Sequence, residues 1–98
     1  MVIDCHAHVY PPDDAAKPFW RGRCPMTIEN VLELQEQAGV DLTVLSNTMS
    51  ISRSAAVTRE NRAALQAQTL ATVRRANRHL AELQDRVAGK VIGVASCI

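Results

Sequence analysis

Apolar residues recur with two different periods along the chain, which predicts strands joined by helices. Continuous or alternating apolar runs at residues 2–8, 41–46 and 90–98 are typical of strands. The second run is nearly continuous, which is typical of a strand covered on both faces. Apolar positions at intervals of three and four residues predict a helix after each of the first two strands; in the second helix they are Leu70, Val73, Ala76, Leu80, Leu83 and Val87. This order favours a parallel sheet built from β-α-β units with right-handed crossovers.

Capping residues mark the ends of both predicted helices. Thr27 is expected to cap the first helix, and Gly39 is expected to end it. The second, longer helix is expected to begin at about Thr58 and to close at Gly89. Residues 10–26, which hold all four prolines, and residues 47–57 follow neither period, so we expect them to be loops.

The chain is short for the architecture that this pattern predicts. Its 98 residues offer three strands and two helices. A parallel sheet is covered on both faces, and a complete eightfold barrel needs about 250 residues. We therefore expect an α/β fold in which residues 1–98 form the N-terminal part of a TIM (β/α)8 barrel.

Composition and charge indicate which binding partners and which cellular compartment to expect. A formal net charge of +1 gives no reason to expect nucleic acid or an anionic membrane as a partner. No apolar run reaches the roughly 18–20 residues of a membrane helix. The three cysteines have no framework spacing and the N-terminus has no signal-peptide pattern, which predicts a soluble, cytoplasmic protein. Cys5 is expected to be a small core residue.

The motif with the clearest chemistry lies in the first predicted strand. His6 and His8 end an apolar run shortly before Pro11, and strand alternation predicts both imidazoles on one face, with Asp4 in register beneath them. Two imidazoles on one rigid element can share a cation such as zinc, manganese or iron. The alternative is an accidental spacing in which one histidine belongs to the core or rim. The position at the C-terminal end of a strand, where parallel barrels place their chemistry, favours a metal site.

Three stretches of the chain resemble a known enzyme family. Ile3-Asp4-Cys5-His6-Ala7-His8, followed by prolines, looks like the first-strand signature of the amidohydrolase superfamily. Residues 36–46, and residues 76–83 leading to 89–96, are similar to the amidohydrolase-related family. That family includes aminocarboxymuconate-semialdehyde decarboxylase, aromatic-acid decarboxylases and hydrolases of cyclic or carboxylated substrates. The resemblance spans nearly the whole chain but only about the first third of the family's barrel.

The resemblance implies a metal-dependent hydrolase or carboxy-lyase that acts on a small molecule. His6 and His8 would be the first two ligands of a divalent cation. Zinc is the first candidate for this cation and manganese the second. The remaining ligands would come from later strands, so residues 1–98 alone are expected to be inactive, since a catalytic zinc has three protein ligands. Such a cation lowers the pKa of its water to about 7 and polarises a substrate oxygen. Hydrolysis and decarboxylation share this chemistry, and the sequence does not separate them.

Several other residues have candidate roles near the expected site. Asp4 is expected to have a structural role or to orient an imidazole, because metal-bound histidines donate their second ring N–H to a carboxylate or carbonyl. Trp20 and Arg21, in the loop after the first strand, would suit a planar carboxylated substrate. The alternative, which the sequence favours equally, is that Trp20 only anchors that loop. By their position at the ends of the second and third strands, residues 46–48, Ser96 and Cys97 would also suit the lining of the pocket, but a turn or cap role is expected first for residues 46–48. His79 is expected to face solvent.

The sequence is also compatible with two other classes of protein. A TatD-type nuclease or a histidinol-phosphatase-like phosphoesterase also opens with His-x-His, and it would add histidines and glutamates for two or three metals. The second class is a non-catalytic remnant of such an enzyme, which would use its long basic helix to assemble with other chains. The sequence does not decide whether the protein forms a homo-oligomer.

Overall fold

The structure, a computed structural model, describes residues 1–11, 27–47 and 56–96. Within these ranges the chain forms β1 (Ile3–Val9), α1 (Ile28–Ala38), β2 (Leu42–Asn47), α2 (Arg62–Arg86) and β3 (Val91–Val94). The strands form one parallel sheet in the order β1-β2-β3. The predicted α/β class, with a parallel sheet and two helices, is confirmed.

Local side-chain signals set the ends of α1 as predicted. The Thr27 hydroxyl accepts a hydrogen bond from the Asn30 N–H at 3.3 Å, which satisfies one of the free donors of the first turn. At the other end Gly39 adopts a left-handed conformation with φ 66°, where a residue without Cβ has no steric cost. The helix therefore ends at the glycine that can adopt this conformation.

The second helix begins four residues later than predicted. The Thr58 N–H donates to Asn61 Oδ1 at 2.7 Å, and the Asn61 N–H donates to Thr58 Oγ1 at 3.2 Å. Reciprocal bonds of this form are those of a capping box, and the Arg62 N–H donates to the Thr58 carbonyl oxygen at 3.1 Å. Residues 58–61 therefore form a capped turn that leads into the helix, which starts at Arg62.

The third strand is shorter than predicted and ends at Val94. The Asn77 side chain in α2 forms hydrogen bonds with both backbone polar groups of Ser96. Its Oδ1 accepts from the Ser96 N–H at 2.9 Å, and its Nδ2 donates to the Ser96 carbonyl oxygen at 2.8 Å. Because these groups bond to α2, they are not available to a strand ladder. Residues 97–98 lie outside the part that the structure describes.

The core lies between one face of the sheet and both helices. Its buried members come from all five elements and are Val9, Ile28, Val31, Leu45, Leu80, Leu83 and Val91. The helical spacing of Val73, Ala76, Leu80 and Leu83 was predicted, and all four are buried. Each fully buried side chain of this size contributes about 1.5–3 kcal/mol through the area it removes from water. Leu70, predicted on the same face, is instead 39% exposed.

Two buried amides join the helices to the sheet. Gln35 Nε2 in α1 donates to Thr43 Oγ1 and to the Lys90 carbonyl oxygen, each at 2.7 Å. Asn47 Nδ2 donates to the carbonyl oxygen of Ala76 in α2. Asn47 was predicted to begin a loop or turn. It is instead the buried last residue of β2, because its amide has a partner on the helix.

The opposite face of the sheet carries neither helix. Along β2, the residues Thr43, Leu45 and Asn47 are buried on the helical side, whereas the alternate residues are only partly buried. In β3 the side chains of Ile92 and Val94, level with Val44 and Ser46, are 44% and 48% exposed. Within residues 1–11, 27–47 and 56–96, the predicted cover on both faces of β2 is therefore present on one face only.

The edge strand β1 contains an irregularity that the sequence did not predict. Asp4 is level with Thr43 and Ala7 with Leu45, so three steps along β1 match two along β2. One extra residue in β1 is a β-bulge. Cys5 lies within it and is exposed, so the prediction that Cys5 belongs to the core is wrong. The residues of β1 that pack in or against the core are instead Val9 and Ala7.

In the part of the chain that the structure describes, neither helix combines the length and apolar character needed to cross a membrane.

Candidate metal centre

His6 and His8 lie side by side near the C-terminal end of β1. Their ring centroids are 4.9 Å apart and the ring planes meet at 84°, an edge-to-face contact. Both side chains are exposed. His8 is level with Ser46 of β2, which places the pair on the sheet face that carries neither helix. The strand thus presents two imidazoles in the same direction, as its alternation predicts.

Ser46 makes the one side-chain hydrogen bond that the structure gives to either ring within the described residues. Its Oγ lies 2.9 Å from His8 Nδ1. Parallel pairing sets this contact, because it places Ser46 directly beside His8 across 38 residues of sequence. The turn or cap role predicted for Ser46 is wrong, since the residue lies inside β2. Thr48, the third residue of that predicted turn, lies outside the described residues.

Asp4 does not lie beneath the two rings. The bulge after Asp4 reverses the alternation, so Asp4 is level with Thr43 on the helical side of the sheet. There it lines a small recess together with Val31 and Gln35 of α1. The predicted shared face is wrong because one extra residue separates Asp4 from the histidines.

The Asp4 carboxylate instead bonds to the backbone of the motif. Its Oδ1 accepts a hydrogen bond from the His6 N–H at 3.1 Å. An aspartate that bonds two residues ahead stabilises a local turn of the backbone. Asp4 therefore holds the bulge from which His6 projects, and its role in orienting an imidazole stays a prediction.

The two imidazoles suit two corners of a tetrahedral cation site. Zinc binds imidazole nitrogen at about 2.0–2.1 Å, which places two nitrogens on one ion about 3.4 Å apart. Ring centroids 4.9 Å apart are close enough for one nitrogen of each ring to reach that spacing once the rings turn from their edge-to-face contact. Among the described residues, no group of three or more His, Cys, Asp or Glu side chains is close enough to hold a metal. The described residues thus fit part of a site that requires further ligands.

The predicted substrate contacts Trp20 and Arg21 lie outside the described residues. Both stay predictions.

His79 is separate from the histidine pair. It projects from α2, which packs against the other face of the sheet. The ring is half-buried rather than facing solvent as predicted, and within the described residues its buried Nδ1 has no hydrogen-bond partner. Burial lowers the pKa of His79, Glu82 opposes that shift, and Arg86 adds to it.

Comparison with known protein families found no family model that matches the chain. Comparison with curated proteins found no match either.

Proposed function

We propose that the chain is the N-terminal portion of a metal-dependent amidohydrolase-family enzyme that hydrolyses or decarboxylates a small carboxylated or cyclic substrate. The observation that carries the proposal is the contact between the His6 and His8 rings, whose centroids are 4.9 Å apart. Both rings lie toward the C-terminal end of a parallel strand, where α/β barrels place their sites. The proposal includes the cytoplasmic setting and the small-molecule partner that the sequence indicates.

The uncovered sheet face supports the barrel part of the proposal. Ile3, Ile92 and Val94 are 51%, 44% and 48% exposed, and their register places them on the same face as the histidines. Parallel sheets are covered on both faces. Further β/α units that close a barrel would enclose these side chains and turn this face into the barrel interior.

The two histidines suit a cation that must act on an anionic or carbonyl substrate. Neutral imidazoles bind a divalent cation without cancelling its charge. His6 and His8 would hold zinc, or manganese as the second candidate, and leave the remaining positions to other ligands and to substrate. When bound, the ion supplies Lewis-acid polarisation of a substrate oxygen and a water of lowered pKa. The exposed rings leave this position open to substrate.

Metal content of the complete natural protein, taken from the longest reading frame that contains this sequence, tests the proposal. We expect about one equivalent of zinc or manganese by elemental analysis. His6→Ala and His8→Ala should lose the metal, whereas His79→Ala, which changes a histidine outside the pair, should keep it. A metal-free wild-type protein, or equal metal content in all four proteins, would contradict the proposal.

The reaction class needs a separate assay of the metal-loaded protein. Release of carbon dioxide from aromatic carboxylic acids would identify a carboxy-lyase, and opening of cyclic amides would identify a hydrolase. Either activity should disappear in His6→Ala and persist in His79→Ala. Two or three bound metals together with phosphoester cleavage would contradict the assignment and indicate a phosphoesterase.

A further inference from the structure

We propose that Ser46 is a positioning residue for His8, and that it accepts the Nδ1–H proton so that Nε2 is the nitrogen that binds the cation. This inference rests on the proposed function, because it concerns the orientation of one of the two metal ligands. It assigns to Ser46 a role that requires the hydroxyl group and not merely a small side chain.

The fold holds Ser46 in place for this role. Its strand β2 is the central strand of the sheet, and Ser46 is level with His8 on one side and with Val94 on the other. Pairing on both sides fixes the backbone of Ser46 more firmly than that of an edge residue. The Oγ atom lies 2.9 Å from His8 Nδ1, which is an ordinary hydrogen-bond length.

The number of protons on imidazole determines the direction of this bond. A neutral imidazole has one N–H and one lone pair, and a metal takes the lone pair. With Nδ1 in contact with Ser46, Nε2 is the nitrogen of His8 that has no partner among the described residues. A metal at Nε2 leaves the proton on Nδ1, and the serine oxygen is then its acceptor.

His6 provides an internal comparison. Within the described residues, its ring contacts His8, and the hydrogen bond at His6 involves its backbone N–H and Asp4. His8 is therefore held by a side-chain hydrogen bond before any metal arrives, whereas the His6 ring is positioned through its backbone and its neighbour. Removal of the Ser46 hydroxyl should therefore act on the metal through His8.

Zinc affinity of the complete protein, measured by competition with a chelator, tests the inference. Ser46→Ala should weaken zinc binding by about 10–100-fold, the usual effect of removing the partner of a metal-bound histidine. Ser46→Thr keeps the hydroxyl and should restore affinity close to that of the wild type. Thr72→Ala removes a hydroxyl from α2, which packs on the other face of the sheet, and should leave the affinity unchanged. Equal affinities of Ser46→Ala and the wild type would overturn the inference.

The proton on the His8 ring provides a second test that does not depend on the folding of a variant. In the zinc-loaded wild-type protein, long-range ¹H–¹⁵N spectra should show the proton on Nδ1, in slow exchange with water. A proton on Nε2, with zinc on Nδ1, would overturn the inference.

The outcomes separate this inference from the proposed function. If the wild-type protein binds zinc through both histidines and Ser46→Ala binds it equally well, only the role of Ser46 fails. If the wild-type protein binds neither zinc nor manganese, the proposed function fails, and the inference fails with it.

Discussion

Gln35 shows how one side chain can join three elements. It is only 5% exposed, and its amide nitrogen donates to Thr43 at the start of β2 and to the carbonyl of Lys90 before β3. A buried polar group of this kind is stabilising only while its partners are present, because each partner left unsatisfied in the core carries its full desolvation cost. At this scale, polar contacts between individual residues hold helix α1 against the sheet.

Gln35→Ala should therefore lower the free energy of unfolding by about 1–3 kcal/mol, because the buried Thr43 hydroxyl loses its donor, whereas the Lys90 carbonyl oxygen keeps the Thr43 N–H at 3.0 Å. Gln37→Ala makes the same chemical change two positions along the same helix. Gln37 is exposed and bonds to Glu33 at 3.1 Å, a pair worth about 0.2–0.5 kcal/mol. Urea denaturation of both variants measures the difference. Equal losses would contradict the role given to Gln35.

His79 makes stability depend on pH. Burial lowers its pKa in the folded protein below the ordinary 6.5, with Glu82 opposing and Arg86 adding to the shift. The unfolded chain therefore takes up its proton at a higher pH than the folded chain does. Stability should fall as the pH drops from about 7 through the ordinary pKa of histidine, because protons then favour the unfolded state.

His79→Gln removes this titration, so its free energy of unfolding should fall less than that of the wild type between pH 7 and pH 5. Parallel denaturant curves at several pH values measure the two slopes. Identical slopes in the two proteins would contradict the effect of burial on His79.

At the scale of elements, the sequence predicts local boundaries better than contacts between strands. Thr27 and Gly39 bound α1 as predicted, because their effects depend on neighbouring backbone. The bulge after Asp4 depends on pairing with β2, roughly 40 residues away, and the shared face predicted for Asp4 and the histidines failed for that reason. The contact between His8 and Ser46 depends on the same register. Spacing alone therefore identified the histidine pair and missed its hydrogen-bond partner.

The packing of α2 on β3 depends on Gly93. A Cβ atom at this position would lie 3.1 Å from Leu80 Cβ and 3.4 Å from the Leu80 carbonyl oxygen. Because both atoms are fixed to the helix backbone, Gly93→Ala requires helix and strand to separate and should cost about 1–3 kcal/mol. Thermal or urea unfolding measures the loss.

Gly39 offers the contrasting case. A Cβ there meets nothing within 4 Å, but the φ of 66° is unfavourable for most residues. Asparagine tolerates this conformation, so Gly39→Asn should be milder than Gly39→Ala. At Gly93 the order should reverse, with asparagine worse than alanine. The same order at both positions would contradict the assignment of a steric contact to Gly93.

At the scale of the whole molecule, the two faces of the sheet differ. One face packs on both helices, and the other presents Ile3, Ile92 and Val94 together with the histidine pair within the described residues. An apolar face of a parallel sheet normally packs against further structure. The proposed barrel assigns that role to further β/α units.

Ile92→Asn tests this assignment in the complete protein. If the face is enclosed there, the buried amide should cost about 2–3 kcal/mol or more. Leu70→Asn is the control, because Leu70 is similarly exposed, 39% against 44%, but lies on α2. That change should stay within about 1 kcal/mol. Equal, small effects on unfolding would contradict the enclosed face.

The central claim is that His6 and His8 bind one cation between them. The most direct measurement is anomalous diffraction at the zinc edge from crystals of the zinc-loaded complete protein. We predict a single peak about 2.0–2.1 Å from one nitrogen of each ring, with His8 bound through Nε2. Density at neither ring, or separate peaks on the two rings, would contradict a shared metal site.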